Sequence, residues 1–171
     1  MNDKQVNKKW TELYGMAVVS LADGKKVGTF DDFYFDPDTH SVYALRVKTS
    51  LFGHKALHVA NLSGIGQDAI TTKNEEMLQR ESDDARLSSL PRGQNLLSYK
   101  VMSTSGNVIG TVGHVLLDIS TATALRIAAI ELSGGLQERL GIRSSTLIPA
   151  QFLHYGHDVL VVPEDALPPP Q

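Results

Sequence analysis

The residues best equipped for chemistry are the histidines and the acids near them. His154-x-x-His157-Asp158 has a spacing that converges on one side of a helix, where two imidazoles and a carboxylate could begin a metal site. The surrounding "QFLHYGHDVLVV" reads as a turn entering a strand, so that convergence is lost, and a zinc site wants three or four ligands. His54 and His58 flank Lys55 on the approach to another strand. Imidazoles there could relay a proton or hold a carboxylate, since histidine titrates near neutrality. The run Glu81-Ser82-Asp83-Asp84 lacks the alternating ligands and closing Glu of a calcium loop, and reads as the solvated face of a helix. "GKKVG" lacks the P-loop spacing and its Lys-Ser/Thr ending, and "SGG" at 133–135 has no strand-to-helix fingerprint around it. G-x-S-x-G and H-E-x-x-H are absent. No constellation for a reaction emerges.

Docking is better represented. In "TSLFGHK", 49–55, Leu51 and Phe52 sit beside Gly53 in an exposed connection, next to His54. Large apolar residues in such a place mark a partner surface or cap the end of the fold. "GGLQERLGIRSS" carries Leu136, Leu140 and Ile142 at helical spacing with Arg139 and Arg143 alongside, the pattern of a short amphipathic helix. The candidate partner surface is therefore Leu51, Phe52, His54, Leu136, Arg139, Leu140 and Arg143. Lys4, Lys8 and Lys9 form a small basic arm.

The chain has 171 residues, 42% of them hydrophobic and 20% charged, which is a soluble globular composition of one ordinary or two small domains. A formal charge of −3 gives no whole-surface case for nucleic acid. With no cysteine there is no disulfide framework, thiolate metal site or cysteine nucleophile, and no cofactor is expected. No apolar h-region follows "MNDKQVNKKW", and "YGMAVVSLA" is about half a spanning length, so a cytoplasmic protein is the expectation.

What must position these residues is a fold built twice. "DGKKVGTFDDFYFD", 23–36, aligns without a gap with "SGNVIGTVGHVLLD", 105–118, at a uniform offset of 82. Gly24 and Gly28 match Gly106 and Gly110, and Asp36 matches Asp118. Val27, Thr29, Phe33 and Phe35 become Ile109, Thr111, Val115 and Leu117, which predicts one core face of a strand. Asp31 becomes Gly113, predicting a bulge or a solvent boundary there. The other face varies, Asp32 against His114 and Tyr34 against Leu116, and reads as surface. Asp23-Gly24 predicts a two-residue type I′ hairpin turn. Register returns at Gly66/Gly156 and Asp68/Asp158, now 90 apart, so the second copy carries a longer excursion near Gly134-Gly135. Between the copies, Asn74 can cap a helix with Met77, Leu78 and Leu87 as its apolar stripe, ended by Pro91 and Gly93.

"GMAVVSLADGKKVGTFDDFYFDPDTHSVYALRV" with "HVANLSGIGQDAITT", and "SYKVMSTSGNVIGTVGHVLLD" with "LIPAQFLHYGHDVLVV", resemble the PRC-barrel family, named after a domain of the photosynthetic reaction centre H subunit. The resemblance implies a docking or assembly module. A ribosome maturation factor also carries such a barrel, which makes an RNA-associated role the alternative. The expected architecture is mainly β: two tandem small PRC-like β-barrels, 13–73 and 95–163, joined by a helical linker, 74–94. A single copy is near the lower size limit for a self-sufficient core, so the two should share an apolar interface with pseudo-twofold symmetry. Strand swapping between them is left open. The expected function is a non-enzymatic adaptor that docks a protein partner. Metal binding by His154 and His157 ranks third.

Overall fold

The computed structural model describes residues 5–49, 53–134 and 146–167. Leu51, Phe52, Leu136, Arg139, Leu140 and Arg143 lie outside the described residues, as does Lys4. The chain opens with β1 (Asn7–Lys9) and a single helical turn, α1 (Trp10–Leu13). The first copy then runs β2 (Ala17–Ser20), β3 (Lys26–Phe35), β4 (Val42–Lys48), β5 (His54–His58), β6 (Leu62–Ile65), β7 (Ala69–Thr72) and β8 (Leu78–Gln79). Two short helices follow, α2 (Ala85–Ser89) and α3 (Gly93–Leu97). The second copy is β9 (Lys100–Ser103), β10 (Val108–Asp118), β11 (Arg126–Ser133), β12 (Leu147–Pro149), β13 (His154–Tyr155) and β14 (Val159–Val162).

These form two seven-stranded sheets, ordered β6-β7-β2-β3-β4-β5-β8 and β12-β11-β10-β9-β14-β13, with β1 added to β10. β2 and β7 pair in parallel, as do β9 and β14, while every other ladder is antiparallel. The repeat is therefore a repeat of topology. Neither ladder closes into a barrel among the described residues. β5 and β6 are joined by one 3-10 turn, Val59–Asn61, which redirects the chain instead of laying the two side by side, and β8 takes the outer edge of β5.

The bulge expected at Asp31 and Gly113 is present: the β3–β4 register slips between Phe30 and Asp32, and the β10–β11 register between Val112 and His114. It also corrects the expected core face. One extra residue moves every later side chain to the other face of the strand. Phe30 and Val112 are thus buried with Phe33 and Phe35 or Val115 and Leu117, while Thr29 and Thr111 are not. The opposite face of β3 is not surface either, since Asp32 is only 3% exposed and Tyr34 5%. The link from β2 to β3 is a five-residue loop, not a type I′ turn: Gly24 has φ +67°, while Asp23 is not at positive φ. Asp36 and Asp118 do what their positions predict, accepting from the backbone N–H of Asp38 and of Ser120 at 2.8 and 3.0 Å.

One apolar cluster runs through both copies, including Phe30, Phe33, Phe35, Leu45, Leu57 and Ile70 of the first and Val115, Leu117, Ile127, Ile130, Ile148 and Leu160 of the second. Rings bridge it: Trp10 stands edge-on to Phe33 at 5.2 Å, and Phe35 lies 5.2 Å from Tyr155. The join has the expected pseudo-twofold character. Leu45 faces Phe33 as Ile130 faces Val115, so Ser41 and Arg126 are equivalent positions, and those two form a bridge with each other. On either side of that bridge Val42 N–H donates to Leu125 O and Ile127 N–H to His40 O, both at 2.9 Å.

The leading arms are exchanged across this join. β1, which precedes the first copy, pairs with β10 of the second, Lys8 opposite Leu117. Residues 91–92, which precede the second copy, meet β3 of the first: Phe35 N–H donates to Pro91 O, and Arg92 bridges Tyr34.

The expected linker helix is replaced by short pieces. Asn74 caps a 3-10 turn, Glu75–Met77, by accepting from Glu76 N–H at 3.1 Å. β8 follows, then a second 3-10 turn, Glu81–Asp83, then α2 capped by Asp84. Leu78 is drawn out of any helix because its backbone extends β5, and a helix this short gains little on its own.

Candidate functional site

Residues 79–97 form a strap over the first sheet: 79–90 cross its outer face, held there by two carboxylates, and α3 then enters the main core through Leu96. Glu81 accepts from the Tyr34 hydroxyl and, at 3.0 Å, from Arg46 Nε. Arg46 also reaches Asp31 Oδ2 at 3.4 Å, and His54 Nε2 lies 2.7 Å from the same oxygen. Further along, Asp84 Oδ2 meets the Tyr43 hydroxyl and His58 Nε2, each at 2.7 Å. Arg86 stacks over the Tyr43 ring at 4.7 Å and reaches Asp36 at 3.4 Å. Beneath α2, Leu87 packs with Tyr34, Ala44 and Ala56 in a small apolar patch separate from the main core.

The local chemistry follows from these partners. Hydrogen bonds from Tyr43 and then His58 hold the Asp84 carboxyl at a pKa of about 2, well below its ordinary 3.8. Partial burial works to raise Glu81, but the bonds from Tyr34 and Arg46 outweigh it and leave the group below the usual range. Burial, with the neighbouring Glu81, pushes the Tyr34 phenol up, and the bond to Asp84 does the same for Tyr43. Under β3, burial raises the Asp32 carboxyl against the bond from Phe33 N–H at 2.7 Å, and its Oδ2 has no partner. Its counterpart in the second copy, His114, likewise has a buried Nδ1 without a partner.

Between strap and sheet lies a cleft of about 520 Å³, walled by Tyr34, Arg46, Glu81, Ser82, Leu87, Leu90, Arg92 and Asn95. A smaller one, about 210 Å³, is lined by Trp10, Tyr14, Asp31, Asp32 and Gln94.

The sequence-derived candidates separate on this map. His54 belongs to the strap network, its imidazole committed to Asp31, and His58 is committed to Asp84. His154 and His157 are exposed, and among the described residues no group of three histidines or acids is placed to hold a metal. Lys8 and Lys9 each face an acid, Glu12 at 3.9 Å and Glu131 at 3.6 Å, which blunts the basic arm. Nothing in their local sequence marks Glu81, Asp84, Tyr34 or Arg46 as site residues. The available signal was that β3 and β4 carry Asp32, Tyr34, Tyr43 and Arg46 where the second copy has His114, Leu116, Ala128 and Glu131.

The sequence profile of the PRC-barrel domain matches residues 6–78 and, a second time, residues 92–167. The chain belongs to the PRC-barrel family. Each PRC match thus begins at the arm that the structure exchanges, one residue ahead of β1 in one case and at Arg92 in the other. Residues 79–91, with Glu81, Asp84 and Leu87, fall between the two PRC matches, so this part of the strap is an addition to the repeated fold, while α3 belongs to the second repeat. No curated protein matches the chain. PRC-barrel domains are generally interaction modules. Among the described residues no helix is long and apolar enough to cross a membrane.

Proposed function

We propose that this tandem PRC-barrel protein is a non-enzymatic adaptor that docks a protein partner, working in the cytoplasm and without a cofactor. The observation that carries this reading is the strap. Its greater part, residues 79–91, lies between the two PRC repeats and is fastened over one sheet by side chains that spend their charges on one another, leaving a walled cleft beside it. The histidine–carboxylate pairs hold the strap in place against the sheet. The connections at 49–55 and 133–145, with Leu51, Phe52, Leu136, Arg139, Leu140 and Arg143, are the further docking elements of this proposal.

The test is capture from lysate by the full-length chain, with and without nuclease, followed by identification and reconstitution of the complex from purified components. A direct, nuclease-resistant complex that is weakened by Leu51→Ser with Phe52→Ser supports the adaptor. Ribosomal components that disappear with nuclease would replace it with an RNA-associated role.

A further inference from the structure

We propose that the smaller cleft, where α1, the β3 bulge and α3 meet, binds an alkylammonium group, the side chain of a lysine on the protein partner. The proposal rests on the docking function above and gives that function a chemical specificity.

Two adjacent acids of β3 carry it. Asp31 spends only Oδ2, on Arg46 Nη1 at 3.4 Å and His54 Nε2 at 2.7 Å, and its Oδ1 has no partner among the described residues. Asp32 is only 3% exposed, accepts from Phe33 N–H through Oδ1, and leaves Oδ2 without a partner. Neighbours on a regular strand point to opposite faces, but the bulge at Asp31 re-aims the chain, and both acids line one cleft of about 210 Å³. Gln94 lines it too, and its side chain makes no hydrogen bond with any described residue. The walls thus carry three oxygens without a donor: Asp31 Oδ1, Asp32 Oδ2 and Gln94 Oε1. An ammonium offers three N–H donors and no acceptor. A buried carboxylate oxygen without a donor is costly to keep, and a bound cation offsets that cost. The second copy has Gly113 and His114 at these positions, so the site belongs to one repeat.

Charge favours the same ligand. Arg46 and Arg92 stand against Glu81, Asp31 and Asp32, with Arg92 acting on Asp32 through space. Two guanidinium groups against three carboxylates leave one negative charge whenever His54 is neutral. Lys8 and Lys9, just ahead of Trp10, are matched by Glu12 and Glu131. Among the described residues no three histidines or acids stand together to hold a metal ion, so the site suits an organic cation. Trp10 and Tyr14 form the remaining wall, and aromatic rings favour both a methylene stem and the cation at its end. The volume suits one long side chain, not a folded element.

Trp10 is the chain's one tryptophan, so its fluorescence and its indole N–H resonance report on this cleft. The probe is acetyl-Ala-Lys-Ala-amide, titrated into full-length protein at pH 8, where imidazole is ordinarily neutral. Acetyl-Ala-norleucine-Ala-amide, which has the stem without the charge, and magnesium chloride are the comparison arms. The expected result is a saturable Trp10 response to the lysine peptide, about tenfold weaker with the norleucine peptide and about tenfold weaker in Asp31→Asn. Asp31 also holds Arg46 and His54, so Gln94, whose exposed side chain holds nothing in the fold, is varied as well. Gln94→Glu should tighten binding about threefold, and Gln94→Lys should weaken it by about as much. Melting temperatures check the fold, and the Gln94 pair decides the matter if Asp31→Asn lowers its own. Equal affinity for the two peptides, no response to the sign of the charge at position 94, or tighter binding of magnesium would each overturn the proposal. Those results leave the adaptor function intact, because capture of the partner is scored separately on the Leu51 and Phe52 variant.

Discussion

Gly93→Ala sets two physical effects against each other with opposite signs. Gly93 opens α3, where replacing Gly by Ala normally stabilises a helix by up to about 1 kcal/mol. A Cβ at this position, however, would stand 2.5 and 2.6 Å from Phe33 Cε1 and Cζ and 2.9 Å from Asp32 Oδ1. Comfortable carbon–carbon contact is about 3.5–4.0 Å, so something must move by roughly 1 Å. Phe33 is fully buried, with Trp10 edge-on at 5.2 Å and Phe35 at 6.0 Å, and cannot swing aside. The strap has to lift instead. Overpacking of this kind costs about 1–3 kcal/mol, leaving a net loss of up to about 2 kcal/mol after the helix gain. For a chain of this size that lowers the melting temperature by up to roughly 8 °C. Thermal unfolding measures the size, and amide exchange over residues 79–97 shows whether the strap is where it falls. A variant melting at or above the wild-type temperature would refute the reasoning, because propensity would then have outweighed a clash with buried rings.

Asp84 predicts the acid limb of stability. Its folded pKa of about 2 lies below the ordinary 3.8, so its contribution is full above about pH 4 and is lost as pH falls towards 2. His58→Asn with Tyr43→Phe should move the acid midpoint, followed by circular dichroism, to higher pH; an unmoved midpoint would mean that Asp84 does not fasten the strap. Tyr34→Phe and Glu81→Gln, alone and combined, should each cost about 1 kcal/mol in urea unfolding, since the carboxylate is partly exposed. The pair should cost clearly less than the sum, and strict additivity would deny that the two groups interact. Trp10→Ala removes a buried ring shared by both copies and should cost about 3–5 kcal/mol, with one cooperative transition for the whole chain. Two separate transitions in wild-type calorimetry would show that the repeats fold independently.

What the sequence displayed was everything that recurs. The uniform offset from Gly24/Gly106 to Asp36/Asp118 marked the repeated hairpin, and the one break in its repeated face, Asp31 against Gly113, marked the bulge. What that bulge does to alternation was not visible, because a single added residue exchanges the two faces without changing any residue type. The strap was hidden for another reason. Tyr34 and Glu81 are 47 residues apart, and a carboxylate bound to a distant phenol looks locally the same as one bound to water. Glu81 and Asp84 therefore read as solvated, and Met77, Leu78 and Leu87 as a helical stripe, although Leu78 belongs to a sheet edge and Leu87 to an outer patch. Arm exchange is a choice between equivalent partners, and equivalence is what a repeat cannot break by itself.

The exchange also fixes an order of events during synthesis. Val6 N–H donates to the hydroxyl of Ser120, 114 residues further along the chain, and β1 pairs just before it. At about 5–20 residues per second a ribosome needs roughly 6–23 s to deliver that partner. For all of that time β1 lacks its partner strand, β10. An apolar strand left waiting would seek any exposed edge, including that of a neighbouring nascent chain. Asn7-Lys8-Lys9 waits safely because it is hydrated and charged. The polarity of the arm is thus suited to delay: it keeps this segment uncommitted until the second sheet exists to receive it.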